Sequence, residues 1–204
     1  QWRQQLKAEA RARIQALQAR IRPHFLFNSM NTIAALIRTA PESAESAIED
    51  LSDLFRASLN SSHEQSTFAD ELTLAQHYLN IETLRLGERL TVEWHVQGIP
   101  AGISMPPLTL QPLLENAIYH GIERLPDGGI IHVDGSCRDA LVEIAISNPV
   151  PGTETGGQRE GNRIAQENIR QRLQLAFGGR AGLLTSLEGN IYKVLLRFPE
   201  ARVT

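Results

Sequence analysis

The stretch Arg22-Pro23-His24-Phe25-Leu26-Phe27-Asn28 decides how this sequence is interpreted. It lies inside a pattern that otherwise predicts one long helix over 6–37. A proline inside a helix removes a backbone hydrogen bond and crowds the preceding turn, at a cost of about 3 kcal/mol or more. A titratable imidazole follows it at once. The stretch therefore predicts a kinked helix that presents His24 for imidazole chemistry; the alternative is a core or capping histidine beside a structural kink.

The composition is that of an ordinary globular protein of one or two domains. Of the 204 residues, 42% are hydrophobic and 21% are charged. The formal net charge of −3 gives no general attraction to nucleic acid or anionic membranes. The single cysteine, Cys137, excludes an internal disulfide framework. No run of apolar residues is as long as the roughly 18 residues that a membrane-spanning helix needs. Because Gln1 already lies in a helical pattern, we expect that helix, and any membrane segment, to continue upstream.

The first 65 residues have the pattern of a helical hairpin. Steps of four and three mark a coiled-coil seam: Ala10, Ile14, Leu17, Ile21, His24, Asn28, Asn31 and Ala35. A second helix is predicted from Pro41, with the buried stripe Ala44, Ile48, Leu51, Phe55 and Leu59. A hairpin over 1–65 has too little core to be stable alone, so we expect a homodimer through these helices that forms a four-helix bundle. The alternative is a hairpin that packs on the rest of its own chain.

Residues 66–204 have the pattern of a second domain. Thr67 and Asp70 have capping-box spacing for a helix that ends at Gly87. A strand is predicted over 90–96, a helix over 108–121 and two hairpins over 130–146 and 183–198. A glycine-rich loop over 148–162 precedes a helix over 164–177, with Arg170 and Arg172 on its solvated face. The whole chain is therefore predicted to be α+β, with helices on one face of an antiparallel-rich sheet.

Two segments of this second domain have the residue types of a phosphate site. The helix over 108–121 carries Glu115, Asn116 and His120 beside its apolar face. An amide oxygen is a suitable Mg²⁺ ligand, because Mg²⁺ needs only one or two protein groups beside phosphate oxygens and waters. The glycines of 156–161 precede a helix whose N–H groups can bind phosphate. The alternatives are an ordinary amphipathic helix and a common glycine-rich loop.

Taken together, these motifs resemble those of the sensor histidine kinases of the LytS family, over essentially the whole chain. The first match is Pro23–Asn28 followed by Asn31, the second is Leu110–Ala117 with His120-Gly121, and the third is Asn168–Leu173. Shorter matches between them are Glu71-Leu72, Tyr78, Ile81-Glu82 and Arg85-Leu86-Gly87. Within the family, the chain is most similar to the alginate-regulator group, whose partners are response regulators of the LytTR type.

The resemblance implies a dimerisation and phosphotransfer hairpin (1–65) followed by a Bergerat (GHKL) ATP-binding α/β sandwich (66–204). It implies that His24 is the phosphoacceptor and that Asn116 holds Mg²⁺ beside ATP. Phe25 follows His24 where many other histidine kinases have an acidic residue, so the base is open, with Glu115 as the candidate. The residues expected to bind nucleotide are Asn116, His120, Asn148, Gly152, Gly161, Arg163 and Asn168. The expected location is the cytoplasmic face of the bacterial inner membrane.

Three departures from the family pattern concern ATP binding. Asn148 stands where the fold normally reads adenine with an Asp, and two prolines follow it. Tyr119 stands where a lysine is common, and Arg163 replaces a glycine in the lead into the last helix. We expect weakened ATP binding. A degenerate kinase that docks its response regulator or removes its phosphate is therefore the alternative function. A chaperone-like ATPase is a third class, but it leaves Pro23–Asn28 unexplained.

Overall fold

The computed structural model describes residues 23–60, 66–152 and 159–201. At residues 59–60 and 159–164 it describes only the backbone. The helices are α1 (Pro23–Thr39), α2 (Pro41–Asn60), α3 (Phe68–Leu86), α4 (Leu110–His120) and α5 (Arg159–Phe177). The strands are β1 (Ser66–Thr67), β2 (Leu90–Gly98), β3 (Ser104–Met105), β4 (Gly129–Arg138), β5 (Leu141–Pro149), β6 (Gly182–Glu188) and β7 (Ile191–Pro199). The predicted helix upstream of Pro23 and the pair Gly156-Gly157 lie outside the described residues.

The predicted helical hairpin is present in α1 and α2, which are joined at Ala40. The inner face of α1 carries the buried residues Phe25, Ser29 and Ile33. The buried residues of α2 include Ala44, Ala47, Leu51 and Leu54. The predicted stripe is correct at Ala44 and Leu51 but wrong at Ile48, which is exposed. The helices that pack on α2 lie against the face next to the predicted one. Hydrophobic periodicity alone could not show which of these two faces is buried.

Five strands form one sheet in the order β2-β4-β5-β7-β6. Strands β2 and β4 are parallel, with α4 between them in the chain, and the other pairs are antiparallel. The turn between β4 and β5 places Asp139 and Ala140 at positive φ, as a two-residue hairpin turn requires. Helices α3, α4 and α5 lie on one face of the sheet. That face carries the buried residues Ile131, Val133, Val142, Ile144, Ile146, Val194, Leu196 and Phe198.

The hairpin packs on the sheet domain through α3. Phe25 is buried, and its ring centroid lies 5.0 Å from that of Tyr78. Asp50 of α2 contacts Nδ1 of His77 and accepts a hydrogen bond of 3.1 Å from Nδ2 of Asn80. The hairpin and the sheet domain therefore share one continuous hydrophobic core. Among the described helices, none combines the length and apolar character that crossing a bilayer requires.

Candidate functional site

The entry to α4 is clamped by two charged side chains. The Glu71 carboxylate is buried and accepts hydrogen bonds from the backbone N–H groups of Leu108 (2.8 Å), Thr109 (2.6 Å) and Leu110 (3.0 Å). Burial raises the pKa of Glu71, although these three donors lower it. Arg172 of α5 donates to the carbonyl oxygens of Pro107 and Leu108 at 2.9 and 3.1 Å. This clamp fixes where the polar face of α4 points.

The clamp by Arg172 corrects the predicted surface of α5. Arg172 and Arg170 were both expected on a solvated face, but Arg172 reaches α4, and Nε of Arg170 donates to the carbonyl of Leu183 at 3.3 Å. The predicted helix start at residue 164 is also wrong, because α5 includes Arg159. Gly161 and Arg163 thus lie within the first turns of the helix and not in a loop ahead of it.

The residues predicted on α4 divide by burial. Its apolar face is buried as expected, at Leu110, Leu113, Leu114, Ala117 and Ile118. Asn116 is buried as well, at 5% exposure, whereas Glu115, Tyr119 and His120 are half-buried. Nε2 of Gln111 donates to the Glu115 carboxylate at 2.9 Å. The helix therefore presents an amide, a carboxylate and an imidazole within two turns.

Asn148 at the end of β5 lies directly against the C-terminal end of α4. It is buried, and its Nδ2 donates to the carbonyl of Pro149 at 2.9 Å. A Cβ on Gly121 would lie 2.5 Å from the carbonyl oxygens of Ala117 and Pro149, and closer still to Nδ2 of Asn148. With Nδ2 engaged in this bond, Oδ1 is the acceptor end of the amide.

His24 lies at the same end of α4. It is exposed on α1, and its ring centroid is 6.3 Å from that of Tyr119 in an edge-on arrangement. Nδ2 of Asn28 lies 3.3 Å from Nδ1 and 3.2 Å from Nε2 of the imidazole. The fold thus brings the predicted phosphoacceptor beside the helix that carries Asn116.

A narrow crevice next to His24 contains three charged residues to which the sequence argument gave no role. Glu82 is 2% exposed, and Arg85 bridges it to Glu123, with 2.5 Å between the Arg85 guanidinium and the Glu123 carboxylate. Burial raises the pKa of Glu82, while Arg85 lowers it. The sequence offered two signals: Glu82 and Arg85 belong to the shorter motif matches, and they stand three residues apart on one helix.

Other predicted nucleotide residues are placed more loosely. Asn168 is exposed on α5, and Gly152, which follows β5, is exposed as well. A Cβ added to Gly152 would lie 3.9 Å from Oδ1 of Asn190. The guanidinium of Arg124 lies 5.9 Å from the ring centroid of Tyr119. Arg124 therefore brings a positive charge near Tyr119.

The donor set fits an ion that arrives with a polyphosphate. Among the described residues there is no group of three or more His, Cys, Asp or Glu that could hold a metal ion. Asn116 supplies an amide oxygen from α4. Because Mg²⁺ keeps most of its sites for phosphate oxygens and waters, one or two such protein groups are sufficient.

Known proteins resemble this chain in sequence. Residues 12–90 match the model of the histidine kinase family. The chain is 33% identical to the sensor protein LytS of Streptococcus agalactiae, over 96% of this chain and 36% of that protein. It is 32% identical to the sensor histidine kinase BtsS of Escherichia coli, over 98% of this chain and 35% of that protein. The chain thus spans about a third of the length of these curated relatives.

Solved structures resemble it in fold. The catalytic domain of histidine kinase ThkA in a nucleotide-free form has a TM-score of 0.50 at 13% identity, over 69% of this chain and 100% of that chain. Acinetobacter baumannii histidine kinase AdeS has a TM-score of 0.50 at 14% identity, over 95% of this chain and 98% of that chain. These likenesses confirm the predicted α+β class, a helical N-terminal part followed by a sheet domain of the GHKL histidine kinase type.

Proposed function

We propose that the chain is the catalytic portion of a two-component sensor histidine kinase of the LytS family, which phosphorylates His24 from Mg-ATP and passes the phosphoryl group to an aspartate of a response regulator. The placement of His24 carries this proposal. An exposed imidazole stands beside α4, the helix that carries Asn116. The sequence similarity to LytS and BtsS supports it independently.

The roles of these residues are positioning and charge neutralisation, the two effects that dominate the catalysis of phosphoryl transfer. A neutral ring nitrogen of His24 is the nucleophile, and Asn28 contacts the ring to hold it. Asn116 is the protein ligand on the Mg²⁺ side, and Mg²⁺ supplies neutralisation of the phosphate charge. His120, Asn148, Gly152, Gly161, Arg163 and Asn168 are the further nucleotide-binding candidates. Glu115 is the base that the sequence nominates.

Labelled ATP tests the proposal. Incubation with Mg²⁺ is expected to give acid-labile protein label in the wild type and none in His24→Gln. His132→Gln, an imidazole on the far face of the sheet, is the matched control and keeps the label. Label that survives in His24→Gln contradicts the assignment of the phosphoacceptor.

A degenerate kinase is the second candidate, and one observation favours it. Asn148 is buried and carries a neutral amide, so adenine would meet a weaker acceptor than the carboxylate that normally stands there. In that function the hairpin around His24 docks the response regulator or removes its phosphate without hydrolysing ATP. Calorimetry distinguishes the two functions, because Mg-ATP binding with micromolar affinity contradicts this one.

The expected partners are a second copy of the chain and a response regulator of the LytTR type. Exposed apolar side chains support the first: Phe27, Met30 and Ile37 on α1, with Ile48 on α2. This stripe differs from the seam predicted through His24, Asn28, Asn31 and Ala35. It lies beside that face of α1, so a dimer through it leaves His24 accessible. Met30→Lys is expected to give monomers in light scattering, whereas Ala35→Lys keeps the dimer. The chain would lie on the cytoplasmic side of the membrane and would be attached to it through a segment upstream.

A further inference from the structure

The crevice beside His24 has an excess of negative charge. Its lining includes three carboxylates, Glu82, Glu115 and Glu123, and one guanidinium, Arg85. Arg85 pairs with both Glu82 and Glu123. A carboxylate excess at a buried position favours any reaction that puts positive charge on a neighbouring imidazole, because solvent screens the charges there only weakly.

The three carboxylates are not equivalent. Glu115 accepts the amide of Gln111 and is half-buried. The Glu123 side chain is 17% exposed, whereas that of Glu82 is 3% exposed. The Glu82 carboxylate and His24 line the same crevice, and a protonated His24 lowers the pKa of Glu82. Of the three, Glu82 is thus the one that solvent reaches least and that the imidazole influences.

We propose that Glu82 accepts the proton that His24 loses when it is phosphorylated. This inference rests on the proposed function. The attacking ring nitrogen forms a bond to the γ-phosphorus, and the bond from that phosphorus to the bridging oxygen breaks, with its electron pair leaving on ADP. The N–H proton of the other ring nitrogen passes to the Glu82 carboxylate. A neutral phosphorylated imidazole and a neutral carboxylic acid remain, while Arg85 keeps Glu123 as its partner.

The surroundings of Glu82 suit this role. Burial raises the pKa of Glu82, and Glu123 raises it further, while Arg85 and a protonated His24 lower it. A base with a raised pKa is a better proton acceptor near neutral pH. The other titratable groups that line the crevice are Tyr78 on the helix of Glu82, and Glu115 and Tyr119 on α4.

The first test compares Glu82→Gln with Glu123→Gln under labelled Mg-ATP. Both variants remove one partner of Arg85, but only the first removes the proposed acceptor. Glu82→Gln is expected to lower the maximal rate of His24 phosphorylation by about 10²–10⁴-fold with an unchanged KM for ATP. Equal losses in the two variants overturn the proposal.

The second test needs no ATP. Phosphoramidate phosphorylates exposed imidazoles, and mass spectrometry reports each histidine separately. Glu82→Gln is expected to slow labelling of His24 while His95 and His132 of the same molecule keep their rates; equal slowing at all three overturns the inference. If wild type is inactive with ATP but this difference appears, the proposed kinase function fails and the role of Glu82 stands.

If Glu82→Gln does not fold, Glu82→Asp replaces it and must give an intermediate rate at His24; a rate equal to wild type overturns the proposal.

Discussion

At the scale of single residues, the tightest constraint in the site is the absence of a side chain at Gly121. The residue ends α4 and touches both Asn148 and Pro149. A backbone that passes this close to its neighbours has no room for a methyl group. The position thus couples the polar helix to the end of β5 that carries Asn148.

Gly121→Ala is expected to destabilise the protein by about 1–3 kcal/mol, the range for overpacking a filled site. It is also expected to weaken Mg-ATP binding, because either Asn148 or the end of α4 must move. Urea unfolding and calorimetry measure the two effects. Gly102→Ala is the control, since a Cβ there meets no atom within 4 Å; equal stability of the two variants would contradict the close packing at Gly121.

Single residues also show how far the sequence could lead. The capping box of Thr67 and Asp70 was predicted and is present, because both of its hydrogen bonds lie within one turn of chain. His24, Asn116 and Asn148 were chosen by motif, and the fold brings all three to one end of α4. The proximity of Glu82 to His24 was missed. It depends on how α1 packs on α3, and the local pattern holds no information about that packing.

At the scale of elements, α4 is held by its two ends. Glu71 and Arg172 bind the backbone before its first turn, and Gly121 packs after its last. The sequence predicted the helix and its apolar face, both of which are local properties. It did not predict the clamp, because Glu71 and Arg172 come from α3 and α5 and meet only in the folded chain.

The clamp predicts a specific pH dependence of stability. Burial holds the pKa of Glu71 above the ordinary value for a glutamate. A carboxyl with a raised folded-state pKa contributes its full stability below the unfolded pKa and loses it as the pH rises through the folded pKa. Lowering the pH from 7 towards 5 is therefore expected to shift the unfolding free energy of wild type upward relative to Glu71→Gln. Denaturant titrations at several pH values measure this difference, and Glu88→Gln, at an exposed site, reports the background. A difference that moves the other way contradicts the raised pKa.

At the scale of the whole molecule, the hairpin and the sheet domain form one body in this chain. The contacts of Phe25, Asp50 and His77 are those expected if the hairpin packs on the rest of its own chain, which was the alternative to a dimer. The exposed apolar stripe of α1 remains available on the other side. Packing on the sheet domain and pairing with a second copy through this stripe therefore use different faces of the same helix, although the stripe is not the seam predicted through His24, Asn28, Asn31 and Ala35.

A shared core predicts that damage to the hairpin reaches the sheet. Phe25→Ala removes a buried ring from the contact with Tyr78 and is expected to cost about 3–5 kcal/mol. In a Trp2→Phe background, Trp94 on β2 is the one tryptophan, so its fluorescence reports unfolding of the sheet domain. We expect this transition and that of the helices, followed by circular dichroism, to shift together. Leu175→Ala, at a side chain that is 88% exposed, should shift neither. An early loss of helix signal with an unchanged Trp94 transition would mean that the hairpin unfolds by itself, and the docking seen at Phe25 would then add nothing to the stability of the sheet.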